Sequence, residues 1–173
     1  MIAILDVQYS GKSARSGLVL IKHWTDSQPA STFTRTFSDC TDYQPGQFYK
    51  RELPVLLDIL EHSPLLFQTV IVDAHVYLKQ GEPGLGRYLF DALDGNVSVV
   101  GVAKSQYCDS QIAVQVTRGK SQQPLFVTAE GLDHQTAADH VVQMHGPYRI
   151  PSMLKLADQI ARGHTLTSAS TTK

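Results

Sequence analysis

Residues 1–37, MIAILDVQYSGKSARSGLVLIKHWTDSQPASTFTRTF, decide the fold. Ile2 to Val7 is a short apolar run carrying one acid, Asp6, near its end. After a turn around Ser10-Gly11-Lys12-Ser13, Arg15 to Ile21 reads as a second strand. Ser31 to Phe37 alternates strictly, with Phe33, Arg35 and Phe37 on one face and Thr32, Thr34 and Thr36 on the other. That period of two belongs to a half-buried strand. Three strands on short polar connections predict an antiparallel meander.

Downstream the rhythm changes. A loop with Asp42, Tyr43, Pro45 and Gly46 leads into a helical pattern from Gln47 to His62, where Leu53, Leu56, Leu57 and Leu60 recur at helical spacing. Pro54 sits either near its start or at a bend. Thr69 to Val72 is a short buried strand leading to Asp73, Gly84 to Leu93 a helix stopped at Asp94-Gly95, and Val97 to Ala103 another buried strand. Ile112 to Val116 and Pro124 to Thr128 predict a hairpin around Arg118-Gly119-Lys120, with helices at Asp133 to Met144 and Pro151 to Ala161. The fold class is therefore α/β: a mixed central sheet, three antiparallel strands then parallel strands, flanked by helices. The RNase H-like arrangement is one such fold. Its nucleases place an acid on the first strand and others near the end of the fourth strand and on a helix. Residues 1–163 are expected to form a single domain, and the polar 164–173 stretch a flexible tail.

With 173 residues, 42% hydrophobic and 18% charged, the chain can bury a core without staples and is not a disordered one. Its 15 Lys+Arg against 16 Asp+Glu give a net charge of −1, without the basic surplus of a typical polyanion reader. Cys40 and Cys108 make no disulfide framework. With no basic start or cleavage site of a signal peptide, and no apolar run long enough for a bilayer, a cytoplasmic protein without membrane contact is expected.

Three acids stand out by context. Asp6 lies in Ile4-Leu5-Asp6-Val7, Asp73 ends Val70-Ile71-Val72, and Glu52 falls in the first turns of a helix. A carboxylate at the mouth of a buried strand is costly to desolvate unless cations or donors compensate it. Each alone fits a helix cap or an ion pair. Meeting at one sheet edge, they make an oxygen-rich site suited to Mg²⁺ or Mn²⁺. Other patterns fail. Gly11-Lys12-Ser13 lacks the first glycine of a phosphate loop, and Gly81-Glu82-Pro83-Gly84-Leu85-Gly86 lacks the dinucleotide-binding order. His134, His140 and His145 do not have zinc-ligand spacing.

The motifs around these acids occur in a known order: Asp6-Val7-Gln8-Tyr9, then Tyr43-Gln44-Pro45-Gly46 through Arg51-Glu52-Leu53-Pro54, then Val70-Ile71-Val72-Asp73, then Val100-Gly101-Val102-Ala103-Lys104. Pro124-Leu125-Phe126-Val127-Thr128, Tyr148-Arg149-Ile150-Pro151 and Leu156-Ala157-Asp158 continue it. Over about residues 2 to 162 the chain resembles endonuclease V, whose members nick nucleic acid on the 3′ side of a deaminated purine, chiefly inosine. The resemblance implies a DNA-repair hydrolase in which Asp6, Glu52 and Asp73 bind Mg²⁺ or Mn²⁺ and Lys104 steadies the phosphate. It implies that Tyr43 and Pro45 form a wedge beside the base, and that Gly46, Phe48, Ala74 and Leu85 line the base pocket. The partner implied is nucleic acid, DNA before RNA, bound by a monomer.

The departures are specific. The family's D-G-x-G…H-P reads here Asp73-Ala74-His75-Val76-Tyr77-Leu78-Lys79-Gln80, so Ala74 replaces a pocket glycine and Lys79 stands where a histidine would be. The later S-P-G-H reads Thr128-Ala129-Glu130-Gly131. His75, Lys79 or His134 are candidate auxiliaries. The family's N-terminal helix and basic segment have no counterpart. These departures leave two alternatives, a divergent member acting on RNA or another lesion, and a weakly catalytic binding module. A local basic rim of Lys12, Arg15, Lys50, Arg51, Lys79, Arg87 and Lys104 around an acidic centre is expected despite the net charge.

Overall fold

The computed structural model describes residues 1–38, 40–41, 47–108 and 111–164. The expected meander forms as β1 (Ile2–Ser10), β2 (Ser13–Ile21) and β3 (Ser31–Phe37), antiparallel with β1 paired to β2 from Ile2↔Ile21 to Ser10↔Ser13. Helix α1 (Phe48–Glu61) then crosses to β4 (Thr69–Val72), which joins the other side of β1 in parallel. Pro54 lies inside α1, with its face to solvent. Next come a small hairpin, β5 (Tyr77–Lys79) and β6 (Glu82–Pro83), then α2 (Leu85–Ala92) and β7 (Ser98–Ala103), parallel to β4. The pair β8 (Val114–Val116) and β9 (Leu125–Glu130) closes the sheet antiparallel to β7, and α3 (His134–Gln143) and α4 (Ser152–Ala161) follow.

The resulting seven-stranded sheet has the order β3-β2-β1-β4-β7-β9-β8, the RNase H-like arrangement. Its parallel part is confined to β1, β4 and β7; the sheet turns antiparallel again at β9, which strand–helix alternation did not indicate. Strands β5 and β6 were not predicted either. At three and two residues they are too short to show a period.

Alternation along the strands divides the core in two. Ile2, Ile4, Ile71, Val100 and Val102 face α3 and α4, while Ala3, Leu5, Val70, Val72 and Val99 face α1 and α2. The first face depends on Gly17, the residue of β2 paired with Asp6. A Cβ at Gly17 would lie 2.6 Å from the Ala157 carbonyl oxygen and 2.8 Å from the Ala161 nitrogen, so the missing side chain lets the α4 backbone settle on β2. Among the described residues no helix is long and apolar enough to cross a membrane.

Since its neighbour there is helix backbone, Gly17→Ala has no cheap relaxation. It should cost about 1–3 kcal/mol, read as a drop in urea midpoint with an unchanged m-value; an unaltered midpoint would show that α4 does not sit this close.

Candidate active site

Parallel register brings the first two acids together. Leu5↔Val72 is the last pair between β1 and β4, so Asp6 and Asp73 come next, side by side, on the face that receives α4. Both line a cavity of about 380 Å³ together with Lys104, which follows β7, and Asp158 of α4. Glu52 approaches from the other side of the sheet on the second turn of α1 and does not line this cavity. That end of α1 is tied to β1 by Arg51: its guanidinium lies 4.1 Å from the Tyr9 ring centroid and donates to the Gly11 carbonyl at 3.2 Å.

The backbone leaving Asp73 is held with little freedom. The Val76 N–H donates to the Thr128 hydroxyl at 2.8 Å, and a Cβ on Gly101 would stand 2.3 Å from the Ala74 carbonyl oxygen. Gly101 and Thr128 are cross-strand partners, so one ladder pair of β7 and β9 makes room for the segment and anchors it. Arg149 secures the neighbouring strand end by donating to the carbonyls of Lys104 and Pro124.

The electrostatics are those of crowded carboxylates. Burial pushes Asp6 up to about 6, against a 2.7 Å hydrogen bond from Val7 N–H and with help from the charges of Asp73 and Asp158. Burial, then the charges of Asp6 and Asp73, push Glu52 up to about 8. Burial would lower the Lys104 ammonium, but its hydrogen bond to Asp73 and the charges of Asp73, Asp6 and Asp158 raise it above the ordinary lysine value. Among the described residues, no three His, Cys, Asp or Glu side chains are arranged to hold a metal as they stand. The donor chemistry nonetheless fits a hard divalent cation: all-oxygen ligands, mutually repelling, with one lysine as the counter-charge on Asp73.

The other expected positions are scattered. Tyr43, Pro45 and Gly46 lie outside the described residues. Phe48 opens α1 and is exposed, Ala74 is half-buried directly after Asp73, and Leu85 is buried in the core beside α1. His75 places Nε2 3.0 Å from the Ser105 carbonyl oxygen. Lys79 sits on the β5–β6 hairpin, its ammonium 6.0 Å from the Tyr107 ring centroid, away from the cavity. His134 has both ring nitrogens at the carbonyls of Ile112 and Ala129. Arg87, expected on a basic rim, is committed to Asp91 and Glu130.

Asp158, Tyr148, Arg149, Lys155 and Arg162 also line the cavity, and no local sequence pattern marks a role there for any of them. Asp158 closes the motif Leu156-Ala157-Asp158, but as an acid four residues before Arg162, to which it bonds at 2.7 Å, it carries no sign of its own that it faces the cavity.

A model of the endonuclease V family matches residues 1–130, three quarters of the chain. The chain belongs to the endonuclease V family. Endonuclease V from Nostoc punctiforme is 25% identical over 139 residues, 69% of this chain and 62% of that relative, so the match spans less than two thirds of the relative's length. Endonuclease V from Ciona intestinalis, solved with a 24-mer DNA containing an inosine followed by a ribo-adenosine, superimposes with a TM-score of 0.79 at 20% identity, covering 94% of this chain and 84% of that one. The catalytic domain of human endonuclease V gives 0.75 at 21% identity, covering 94% and 81%. The protein from Streptomyces avermitilis gives 0.75 at 20%, covering 94% and 79%. At 94% of this chain, the shared fold extends beyond residue 130, where the endonuclease V family model stops.

The raised carboxylates fix the sign of a pH effect. Between its usual value of 4.5 and about 8, Glu52 is protonated in the folded chain and ionised in the unfolded one. Its contribution to stability is therefore fully present below pH 4.5 and lost as pH rises through about 8. In EDTA, the Tm of wild type relative to Glu52→Gln should fall over that window by several degrees, since 1 kcal/mol is about 2–4 °C for a chain this size. Mg²⁺ should reverse the fall. A relative Tm that is flat or climbs with pH would refute the carboxylate crowding.

Proposed function

We propose that this protein is a divalent-metal-dependent endonuclease that hydrolyses a phosphodiester on the 3′ side of inosine in nucleic acid, leaving 3′-hydroxyl and 5′-phosphate ends. The observation that carries this reading is the meeting of Asp6 and Asp73 at adjacent parallel strand ends, with Lys104 on Asp73 and Glu52 electrostatically coupled to both. Asp6 and Asp73 would hold Mg²⁺ or Mn²⁺, with Glu52 as a further ligand or as the group orienting the attacking water. When bound, such an ion offsets phosphate charge and lowers the pKa of water. Asp158 adds carboxylate charge on the α4 side. Lys104 donates to Asp73 in the free protein and to the developing phosphate charge once a strand is seated.

Base selection would fall to Phe48, Ala74 and Leu85 with Tyr43, Pro45 and Gly46, the tyrosine and proline filling the stack left by an extruded base. His75 and Lys79 are auxiliaries to this side of the site. DNA is the favoured substrate and RNA the alternative; the protein would act as a cytoplasmic monomer in DNA repair, with residues 1–163 as its working domain.

The test is cleavage of a strand carrying one inosine against an unmodified control, in Mg²⁺ and then Mn²⁺. We expect a single nick in the inosine strand, its loss in Asp73→Asn, and roughly a 10²-fold fall in kcat for Lys104→Ala, the scale of one preorganised donor. Equal cutting of both strands would remove the inosine assignment. Undiminished cutting by Asp73→Asn would remove the metal centre.

A further inference from the structure

The cavity is larger and more apolar than a cation and a phosphate require. Its floor is built from Ile4, Ile71, Val102 and Leu125. At about 380 Å³ it falls within the range of small-molecule sites. Tyr148, Arg149 and Lys155 also line it, all beyond the end of the matched family model at residue 130.

That lining is rigidly built. Arg118 is only 6% exposed and donates to the main-chain carbonyls of Val142, Met144, Gly146, Tyr148 and Arg149. Next to it, Gly119 sits so close to the chain that a Cβ would lie 2.2 Å from the Pro147 carbonyl oxygen. The backbone beneath Tyr148 is thus clamped while its side of the residue stays 68% exposed. A buried guanidinium holding a large aromatic out into solvent serves a surface, since the aromatic adds little to the core. The Lys155 ammonium stands 5.9 Å from the Tyr148 ring centroid and has no carboxylate partner among the described residues. Aromatic face, ammonium and apolar floor are together complementary to one nucleotide: a base to stack and a phosphate to neutralise.

We propose that this cavity is a second nucleotide subsite, seating the nucleoside next to the scissile phosphate on the side away from the inosine. The proposal rests on the nuclease reading above. The residues assigned to the inosine, Ala74 and Leu85 among them, belong to the α1–α2 side of the sheet, whereas the cavity opens on the α3–α4 side. Asp6 and Asp73 line the cavity where their strands end, so a strand crossing them is held by one base on each side. Tyr148 stacks on the second base and Lys155 meets the phosphate beyond it.

The experiment scans an abasic residue, which keeps the phosphate and removes the base, through each position on the 3′ side of the inosine. One position should lower kcat/KM for wild type by roughly tenfold, within the range of one base–aromatic stack. Tyr148→Ala should lose about the same on the intact strand and nothing further on that abasic strand, while Tyr148→Phe retains wild-type behaviour. Lys155→Ala should reduce the slope of log affinity against log salt by about one. If wild type nicks the inosine strand but the scan is flat, or if Tyr148→Ala loses equally on both strands, the subsite is overturned and the nuclease reading stands. If no strand is cut, fluorescence anisotropy with the same labelled strands decides. A Tyr148-dependent loss of binding on the intact strand alone keeps the subsite and removes the nuclease reading. Equal binding by wild type and variant removes both.

Discussion

Asp6 and Asp73 are forced together by hydrogen bonding, not by any attraction between them. The parallel ladder of β1 and β4 ends at Leu5 and Val72, and the next residue on each strand is an acid. The half-buried Asp6 and the more exposed Asp73 repel as like charges, and a third acid, Glu52, arrives from the helix packed on the opposite face. Most of the local structure answers that constraint. Lys104 brings a cation to Asp73 from the end of the adjacent strand, and Arg149 binds the carbonyl of that same lysine. Gly101 and Thr128 hold the chain as it leaves Asp73, and Gly17 draws α4 down until Asp158 adds its own charge. Burial of Asp6 and Glu52 beside other carboxylates is why those two acids are pushed above the usual carboxylate range.

The charge balance of −1 says little about partners because the cations are unevenly employed. Arg35 pairs with Asp58 at 2.6 Å, Arg87 with Asp91 at 2.9 Å, and Arg162 with Asp158 at 2.7 Å. Arg118 is buried among carbonyls and stiffens the cavity wall. Lys155 and Arg51 instead face aromatic rings on opposite sides of the acidic centre. A local arrangement of basic and aromatic groups around carboxylates can attract a polyanion on a protein whose total charge repels it slightly.

Much of this was legible in the chain. The strict alternation of Ser31 to Phe37, the leucines at helical spacing before His62 and the apolar run ending at Asp73 each reflect burial on one face of an element, and each element formed where its pattern lay. The hairpin of β5 and β6 was not legible, since two or three residues carry no period and its register is set by the fixed backbone on either side. Tyr148 belongs to a motif of the family resemblance, but neither its place on the cavity nor that of Lys155 was legible. Their relevance depends on a buried arginine thirty residues upstream, and no local pattern reports a contact with carbonyl oxygens.

By itself, the sequence determined the order of the longer strands and helices and pointed to the family and to Asp6, Glu52 and Asp73 as candidate site residues, because periodicity and motif spacing are properties of neighbours along the chain. Only the tertiary structure decided that Asp6 and Asp73 share one cavity, that Asp158 joins them on α4, and that Glu52 stands on the opposite face of the sheet. Those outcomes depend on strand register and on how closely a helix approaches a sheet. Both are set by packing between segments far apart in sequence, where one missing Cβ at Gly17 counts for more than any local propensity.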